Sequence, residues 1–281
     1  MSTYGVTLVG RNDNYGGRLA ERAAYALNSC IISYDEVIYV DWNSRGETLH
    51  SVIKDNLLHT GKLRCITVTP EEHKMFTKHY PGAQHCSEVL GRNVGLRRLS
   101  TDFMASTNID EINPPREYLE LFNSNDAHTF LTVARRGASL EHVQTLDSPK
   151  KINTVRDMML GRAYNQSWAV TREPYSLVEW CGDLQLAHRD VWYAIKGYEE
   201  SQLGVGVHDS FIQRKAKEAG YIIRASYEMP LWHLDHTKVS DYRDEAPCVS
   251  ESNACLYENY IGSNNPETWG FSGFWFKEET I

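Results

Sequence analysis

Cysteine is scarce in this chain and scattered. The 6 cysteines, Cys30, Cys65, Cys86, Cys181, Cys248 and Cys255, include no C-x-x-C pair, the spacing expected of zinc or redox sites. Cys30 and Cys65 lie in or beside apolar stretches, so buried thiols are expected in place of disulfides or zinc ligands. Positive charge is in deficit too: 29 Lys and Arg against 37 Asp and Glu leave a net charge of −8. Gripping a phosphate backbone needs a basic face, so a nucleic-acid partner is excluded. No apolar run approaches the ~20 residues of a membrane-spanning helix. The opening MSTYGVTLVG lacks the charged and long apolar regions of a secretory leader. There is no internal repeat, no low-complexity tract, and neither a Walker loop nor G-x-G-x-x-G. These absences leave a cytosolic enzyme as the expectation.

What is present is an ordinary globular composition over 281 residues, enough for one large domain or a domain with a small appendage. Tyr4 to Val9 reads as a first buried strand. The polar loop Arg11-Asn12-Asp13-Asn14-Tyr15-Gly16-Gly17 follows, then a helix from Arg18 to Leu27. Loop amides and a helix N-terminus after a strand attract anions, which makes Arg11 and Asp13 phosphate- or nucleotide-side candidates; an ordinary strand–helix connection stays open. Asp35 to Val40 is a second strand, ending at Asp41-Trp42-Asn43-Ser44. There Asp41 either accepts from a base or ribose or caps the helix Glu47 to Leu57. Leu63 to Thr69 is a third strand, with a helix starting at Pro70. Alternating strands and helices with short connections predict a parallel sheet covered on both faces.

Three later stretches concentrate chemistry. Gly91 to Pro114 reads as a short helix carrying Asn93, Arg97 and Arg98, then a buried strand at Phe103-Met104-Ala105. An acidic tip follows, Thr107-Asn108-Ile109-Asp110-Glu111, closed by Pro114-Pro115. Strand ends in open α/β sheets are where ligands bind, and a carboxylate there can hold a hard divalent cation. Asn108-x-Asp110 can equally be a turn that caps the next helix. In the second stretch, Gly182 and Asp183 precede a helix from Val191 to Lys196 capped by Asp190 and stopped at Gly197. A glycine turn, Gly204 to Val207, then delivers His208-Asp209 to a helix from Ser210 to Ala219. Asp209 is positioned as an N-cap, and capping is compatible with general-base work. The third stretch, Met229 to His236, sets His233 and His236 three apart; His is a frequent metal ligand. Between these stretches lie an expected helix from Glu117 to Phe122 and a strand from Ala127 to Val133. No trusted periodicity appears from Thr145 to Tyr164, and Ser148 to Lys151 reads as an acceptor-side loop.

The Asn108-to-Asp110 segment resembles the metal-binding segment of GT-A glycosyltransferases, with Asn108 where the commoner Asp-x-Asp pattern has Asp. G-Y-E-E followed by G-V-G-V-H-D-S-F-I-Q-R-K looks like the G-W-G-x-E-D-x-D segment of galactosyltransferase-type and chondroitin-polymerase-type members. There the residue matching Asp209 is the base, and His208 stands in place of a Glu. The late histidine is similar to one that such enzymes use for metal, with His233 preferred over His236. The resemblance runs from about Val6 to His236 and implies a single-domain, Rossmann-like α/β fold whose mixed, mostly parallel sheet is flanked by helices. It implies an inverting glycosyltransferase that moves a sugar from a UDP- or GDP-linked donor to a glycan hydroxyl. Asp110 with a histidine would hold Mn²⁺ or Mg²⁺, Asp209 would be the base, and Arg11, Asp13, Asp41, Asn93, Arg97, Asn108 and Asp183 would contact the donor. Residues 1–114 would form the nucleotide half, 115–240 the acceptor half, and 241–281 an aromatic tail that packs on the domain or mediates a homodimer. A nucleotidyltransferase and a degenerate sugar-nucleotide-binding protein are the alternatives. The missing membrane segment suits a glycan-building enzyme of bacterial or viral origin.

Overall fold

The computed structural model describes residues 2–78, 86–123, 126–163, 182–201, 208–226, 228–236 and 265–281. The chain begins with strand β1 (Tyr4–Gly10), helix α1 (Leu19–Ser33), β2 (Glu36–Trp42), α2 (Leu49–Ile53), β3 (Leu63–Val68), α3 (Pro70–Thr77), α4 (Glu88–Leu96) and β4 (Phe103–Asn108). It continues with β5 (Glu111–Ile112), α5 (Arg116–Asn123), β6 (Thr129–Val133), β7 (Arg136–Ser139), α6 (Leu140–Leu146) and α7 (Ile152–Ala163). The described remainder is β8 (Leu184–His188), α8 (Arg189–Ala194), α9 (His208–Glu218), β9 (Ile222–Ser226), β10 (Trp232–Asp235) and β11 (Lys277–Thr280).

Eight strands form the main sheet in the order β11-β3-β2-β1-β4-β8-β6-β9. β3, β2, β1 and β4 run parallel, β8 runs antiparallel between β4 and β6, and β11 is antiparallel to β3. A small sheet, β5-β10-β7, sits beside it. The expected mixed, mostly parallel sheet with helices is therefore present. No helix among the described residues is long and apolar enough to cross a membrane.

Strand alternation sends side chains to two cores. Tyr4, Val6 and Leu8 of β1 pack with Leu19, Ala23 and Leu27 of α1, whereas Val9 faces α4 together with Val40, Trp42, Val94 and Trp192. Gly91 and Gly95 lie one helical turn apart and bring α4 onto β1. A Cβ at Gly95 would lie 1.8 Å from Thr7 Oγ1, and one at Gly91 2.6 Å from Val9 Cγ1. A third cluster joins Tyr25, Ile112, Trp232 and Leu234 to α6 and α7.

Several boundaries differ from expectation for identifiable reasons. β2 continues through Asp41 and Trp42 because β3 pairs with them, Asp41 to Thr67 and Trp42 to Val68. The helix expected from residue 47 to 57 is the five-residue α2 and a 3-10 turn, Lys54–Asn56. The cap of α8 is His188, whose Nδ1 accepts from Asp190 N at 3.2 Å, not Asp190. Within Thr145 to Tyr164, where no periodicity was legible, the chain forms a 3-10 turn at Pro149–Lys151, in place of the expected loop, and then α7. Cys30, Cys65 and Cys86 are free thiols. The turn Gly204 to Val207, residues Cys181, Cys248 and Cys255, and most of the tail before Asn265 lie outside the described residues.

Candidate active site

β4 runs parallel to β1 with Val9 opposite Asn108, so the loops after both strands meet at one edge of the sheet. β8 begins at that same edge, because Thr107 pairs with Leu184 in antiparallel register. The short ladder β5-β10 then does what chain proximity cannot. His233 pairs with Glu111, and Leu234 N donates to Asp110 O at 2.9 Å. This brings both late imidazoles to the carboxylate: His233 Nε2 and His236 Nε2 each lie 3.5 Å from Asp110 Oδ2.

Asp110, His233 and His236 offer ligand atoms that all lie within 4.8 Å of one another. Donors cis and trans about a small divalent ion with ~2.1 Å bonds are about 3.0 and 4.2 Å apart, so the set fits such an ion. One carboxylate and two imidazoles make a mixed oxygen and nitrogen donor set of the kind that holds first-row divalent ions. His233 Nδ1 lies 3.6 Å from Asp235 Oδ1, an orienting partner for its other nitrogen. The two histidines stand equally close, so the structure does not single out His233. The same Oδ2 accepts from Arg22 Nη1 of α1 at 2.5 Å.

A polar network begins at Asn108, two residues before Asp110, and extends to the carbonyl of Gly182, the residue against Asp209. Asn108 Nδ2 donates to Glu111 Oε1 at 2.7 Å and to Asp183 Oδ1 at 3.3 Å, while its Oδ1 accepts from Arg92 Nη2 at 2.6 Å. Asn where the related motif has Asp is thus explained by its neighbours: an amide donates to two carboxylates that a third carboxylate would repel. Arg135 Nη1 pairs with Asp183 at 2.7 Å and lies 3.8 Å from Glu111. Burial, reinforced by Asp183, pushes the Glu111 carboxyl well above its ordinary range. Arg92, 1 % exposed, also donates to Ser106 Oγ at 3.0 Å and to the Tyr198 hydroxyl at 3.2 Å, and it pairs with Glu88.

Asp209 lies in the first turn of α9, inside the helix and not at its cap. Its carboxylate fills the space a side chain at Gly182 would need: a Cβ there would lie 1.8 Å from Cγ. His208 Nε2 lies 3.3 Å from Oδ1. Burial raises the Asp209 carboxyl above its usual value, with His208 and Arg92 opposing and Glu88 and Asp183 adding. A carboxylate so desolvated is a stronger base than one in water.

The remaining candidates divide. Arg11 and Asp13 sit in the β1–α1 loop, with Arg11 Nη1 3.9 Å from Asp13 Oδ2 and Arg11 Nε enclosed without a hydrogen-bond partner among the described residues. Asp41, Asn93 and Arg97 are not brought to the cluster. Asp41 is fully enclosed and accepts from Leu49 N at 2.7 Å and Tyr39 Oη at 3.2 Å, which ties α2 to β2. Asn93 faces the opposite side of α4, donating to Tyr198 O at 2.8 Å and accepting from Tyr198 N at 2.8 Å. Arg97 stacks on Tyr193 and Trp269 at 4.8 and 4.9 Å. Sequence reasoning missed Arg22, Arg92, Arg135 and Glu111. For the first two a signal existed, an arginine on an apolar helical stripe, between Leu19 and Ala26 in one case and Val89 and Leu96 in the other.

No family model matches the chain, and no curated protein matches it in sequence. Solved structures do. The mannosyltransferase PcManGT from Pyrobaculum calidifontis, in complex with GDP-Man and Mn²⁺, superposes with a TM-score of 0.51 at 15% identity. That match covers 97% of this chain and 68% of the other. Residues 1–349 of TarS from S. aureus, in complex with UDP-GlcNAc, superpose with a TM-score of 0.50 at 14% identity over 86% of this chain. The chain spans 61% of that TarS fragment. This chain has the GT-A fold. In GT-A terms the triad lies just after β4, and the Gly182–Asp209 contact joins the start of β8 to α9.

Proposed function

We propose that the chain is an inverting, metal-dependent glycosyltransferase that moves a sugar from a nucleoside-diphosphate donor, UDP- or GDP-linked, to a hydroxyl of a glycan acceptor. The observation that carries this reading is the meeting of Asp110, His233 and His236 at the same end of a GT-A sheet as the Asn108, Glu111, Asp183 and Arg92 network, which reaches the Gly182 carbonyl beside Asp209. Structures of similar fold hold GDP-Man with Mn²⁺ or UDP-GlcNAc, and both ligands suit a site of this composition.

Asp110 and the two imidazoles would hold Mn²⁺ or Mg²⁺. Bound there, the ion would neutralise charge that develops on the leaving diphosphate. Arg11, just after β1 and next to Asp13, would bind donor oxygens from the other side. Asp209 would accept the proton of the acceptor hydroxyl as its oxygen bonds to the anomeric carbon from the face opposite the departing phosphate oxygen. Asp183, fixed by Arg135 at 2.7 Å, would orient sugar hydroxyls between the two.

The test is release of UDP or GDP from sugar-nucleotide donors, with and without Mn²⁺, in wild type and in Asp110→Ala and Asp209→Asn. We expect metal-dependent donor hydrolysis in wild type and its loss in Asp110→Ala. Asp209→Asn is expected to keep Mn²⁺–nucleotide binding while transfer to acceptor falls at least ~1,000-fold. Full transfer by Asp209→Asn refutes the base, and nucleotide binding without any turnover in wild type points to a degenerate binding protein.

A further inference from the structure

Arg22 is fully buried, yet it stands on the helix stripe that otherwise packs the core. Its two terminal nitrogens do separate things. Nη1 donates to Asp110 Oδ2, the oxygen that both imidazoles face. Nη2 donates to the carbonyl oxygens of Tyr15 and Gly17 in the β1–α1 loop. That loop lies over the triad: Tyr15 meets the His236 ring edge-on at 4.9 Å, and a Cβ at Gly16 would be 2.4 Å from His236 Nδ1. Asn14 and Arg18 hold positive φ in a loop whose Gly16 and Gly17 adopt it freely, so the path through Arg18 is one that its surroundings must support.

We propose that Arg22 is a built-in competitor of the metal ion, a guanidinium that neutralises Asp110 and anchors the Tyr15–Gly17 loop until an ion displaces it from Oδ2. The inference rests on the reading of Asp110, His233 and His236 as a metal triad. A guanidinium and a divalent ion repel each other, and Nη1 stands on the same Oδ2 that an ion held between Asp110 and the two imidazoles would take. Ion binding by the nucleotide-free chain therefore breaks an existing buried pair and is weak. A donor diphosphate brings negative charge for both cations to share, so metal and nucleotide enter together. Displacement also frees the carbonyls of Tyr15 and Gly17, which couples loading of the ion to the loop that carries Arg11 and Asp13.

The experiment is a titration with Mn²⁺ alone, followed by the electron-paramagnetic signal of the free ion and by thermal melting. Wild type, Arg22→Gln, Arg22→Lys and the double variant Arg22→Gln/Asp110→Asn are compared, with a second series in the presence of UDP or GDP. Without nucleotide, Arg22→Gln is expected to bind Mn²⁺ at least about tenfold more tightly than wild type, and Mn²⁺ alone should raise its melting temperature but not that of wild type. The double variant should lose this binding. If Arg22→Gln does not fold, Arg22→Lys decides: its single nitrogen has to share three protons among acceptors placed for two separate nitrogens, so its hold on Asp110 loosens and Mn²⁺ binding tightens there too, though less. Nucleotide-dependent Mn²⁺ uptake by wild type with no tightening in either Arg22 variant overturns the competitor role and leaves the metal reading standing. Absence of Mn²⁺ binding in every chain and condition overturns both.

Discussion

A Cβ on Gly182 would sit far inside contact distance of the Asp209 carboxylate, so the proposed base and this glycine share one volume. Gly182→Ala must push Asp209 off its position, and misplacing a reacting group by about 1 Å can cost ~100-fold in rate. We expect kcat to fall by about that factor while donor KM changes little; steady-state kinetics checks this, with a melt to show that the variant is folded. Glu88 is a second residue with a readable consequence. Partial burial would raise its carboxyl, but Arg92, with His208 beyond it, more than reverses this and holds it at about 2. A lowered carboxylate stabilises the fold above its unfolded value of ~4.3 and loses that contribution as pH falls toward the folded one. Glu88→Gln should therefore destabilise at pH 7, and its difference from wild type should vanish as pH falls from about 5 to 2 in urea titrations. At this scale the sequence singled out Asp110, Asp209 and the two histidines as candidates, since each residue type announces its chemistry. It did not show Gly182 meeting Asp209, because that is a contact between segments remote along the chain.

At the scale of elements, α4 explains how a nine-residue helix can bear so much of the site. One face, with Gly91 and Gly95, lies flush on β1; Arg92 reaches the network, and Asn93 on the far side holds Tyr198. Replacing a helix-interior glycine by alanine ordinarily stabilises by ~1 kcal/mol. At Gly95 the new methyl would meet Thr7 Oγ1 at 1.8 Å, and overpacking of that kind costs about 1–3 kcal/mol. The clash wins, so Gly95→Ala should lower stability by roughly 1 kcal/mol, and Thr7→Ala in the same chain should recover part of it by urea unfolding. Strands β1 to β4 were legible because buried parallel strands are short apolar runs. β8 and β10 were not, because their polar residues obscured any strand pattern and their pairing partners lie far away. α7 escaped because its apolar residues, Ile152, Val155 and Met159, serve a side cluster interrupted by Arg156 and Asp157.

For the whole molecule, the C-terminal segment closes the architecture. β11 pairs with β3 at the sheet's edge, and Trp269, 1 % exposed, packs against Gly197, Tyr193 and Arg97 on the α4 side. Removing a buried tryptophan costs about 3–5 kcal/mol. Trp269→Ala should therefore lower the melting temperature of the entire chain in one cooperative transition, monitored by circular dichroism; a separate low-temperature transition would mean that the tail folds independently. Local spacing was enough to determine an alternating α/β chain, the polar tip after β4, and the residue types able to bind a cation or take a proton. The pairing of His233 with Glu111, the insertion of β8, and the placing of Arg22 on Asp110 were decided only by tertiary structure. Propensity and periodicity act over a few residues, whereas a site at a sheet's edge is made by registers between strands far apart in sequence.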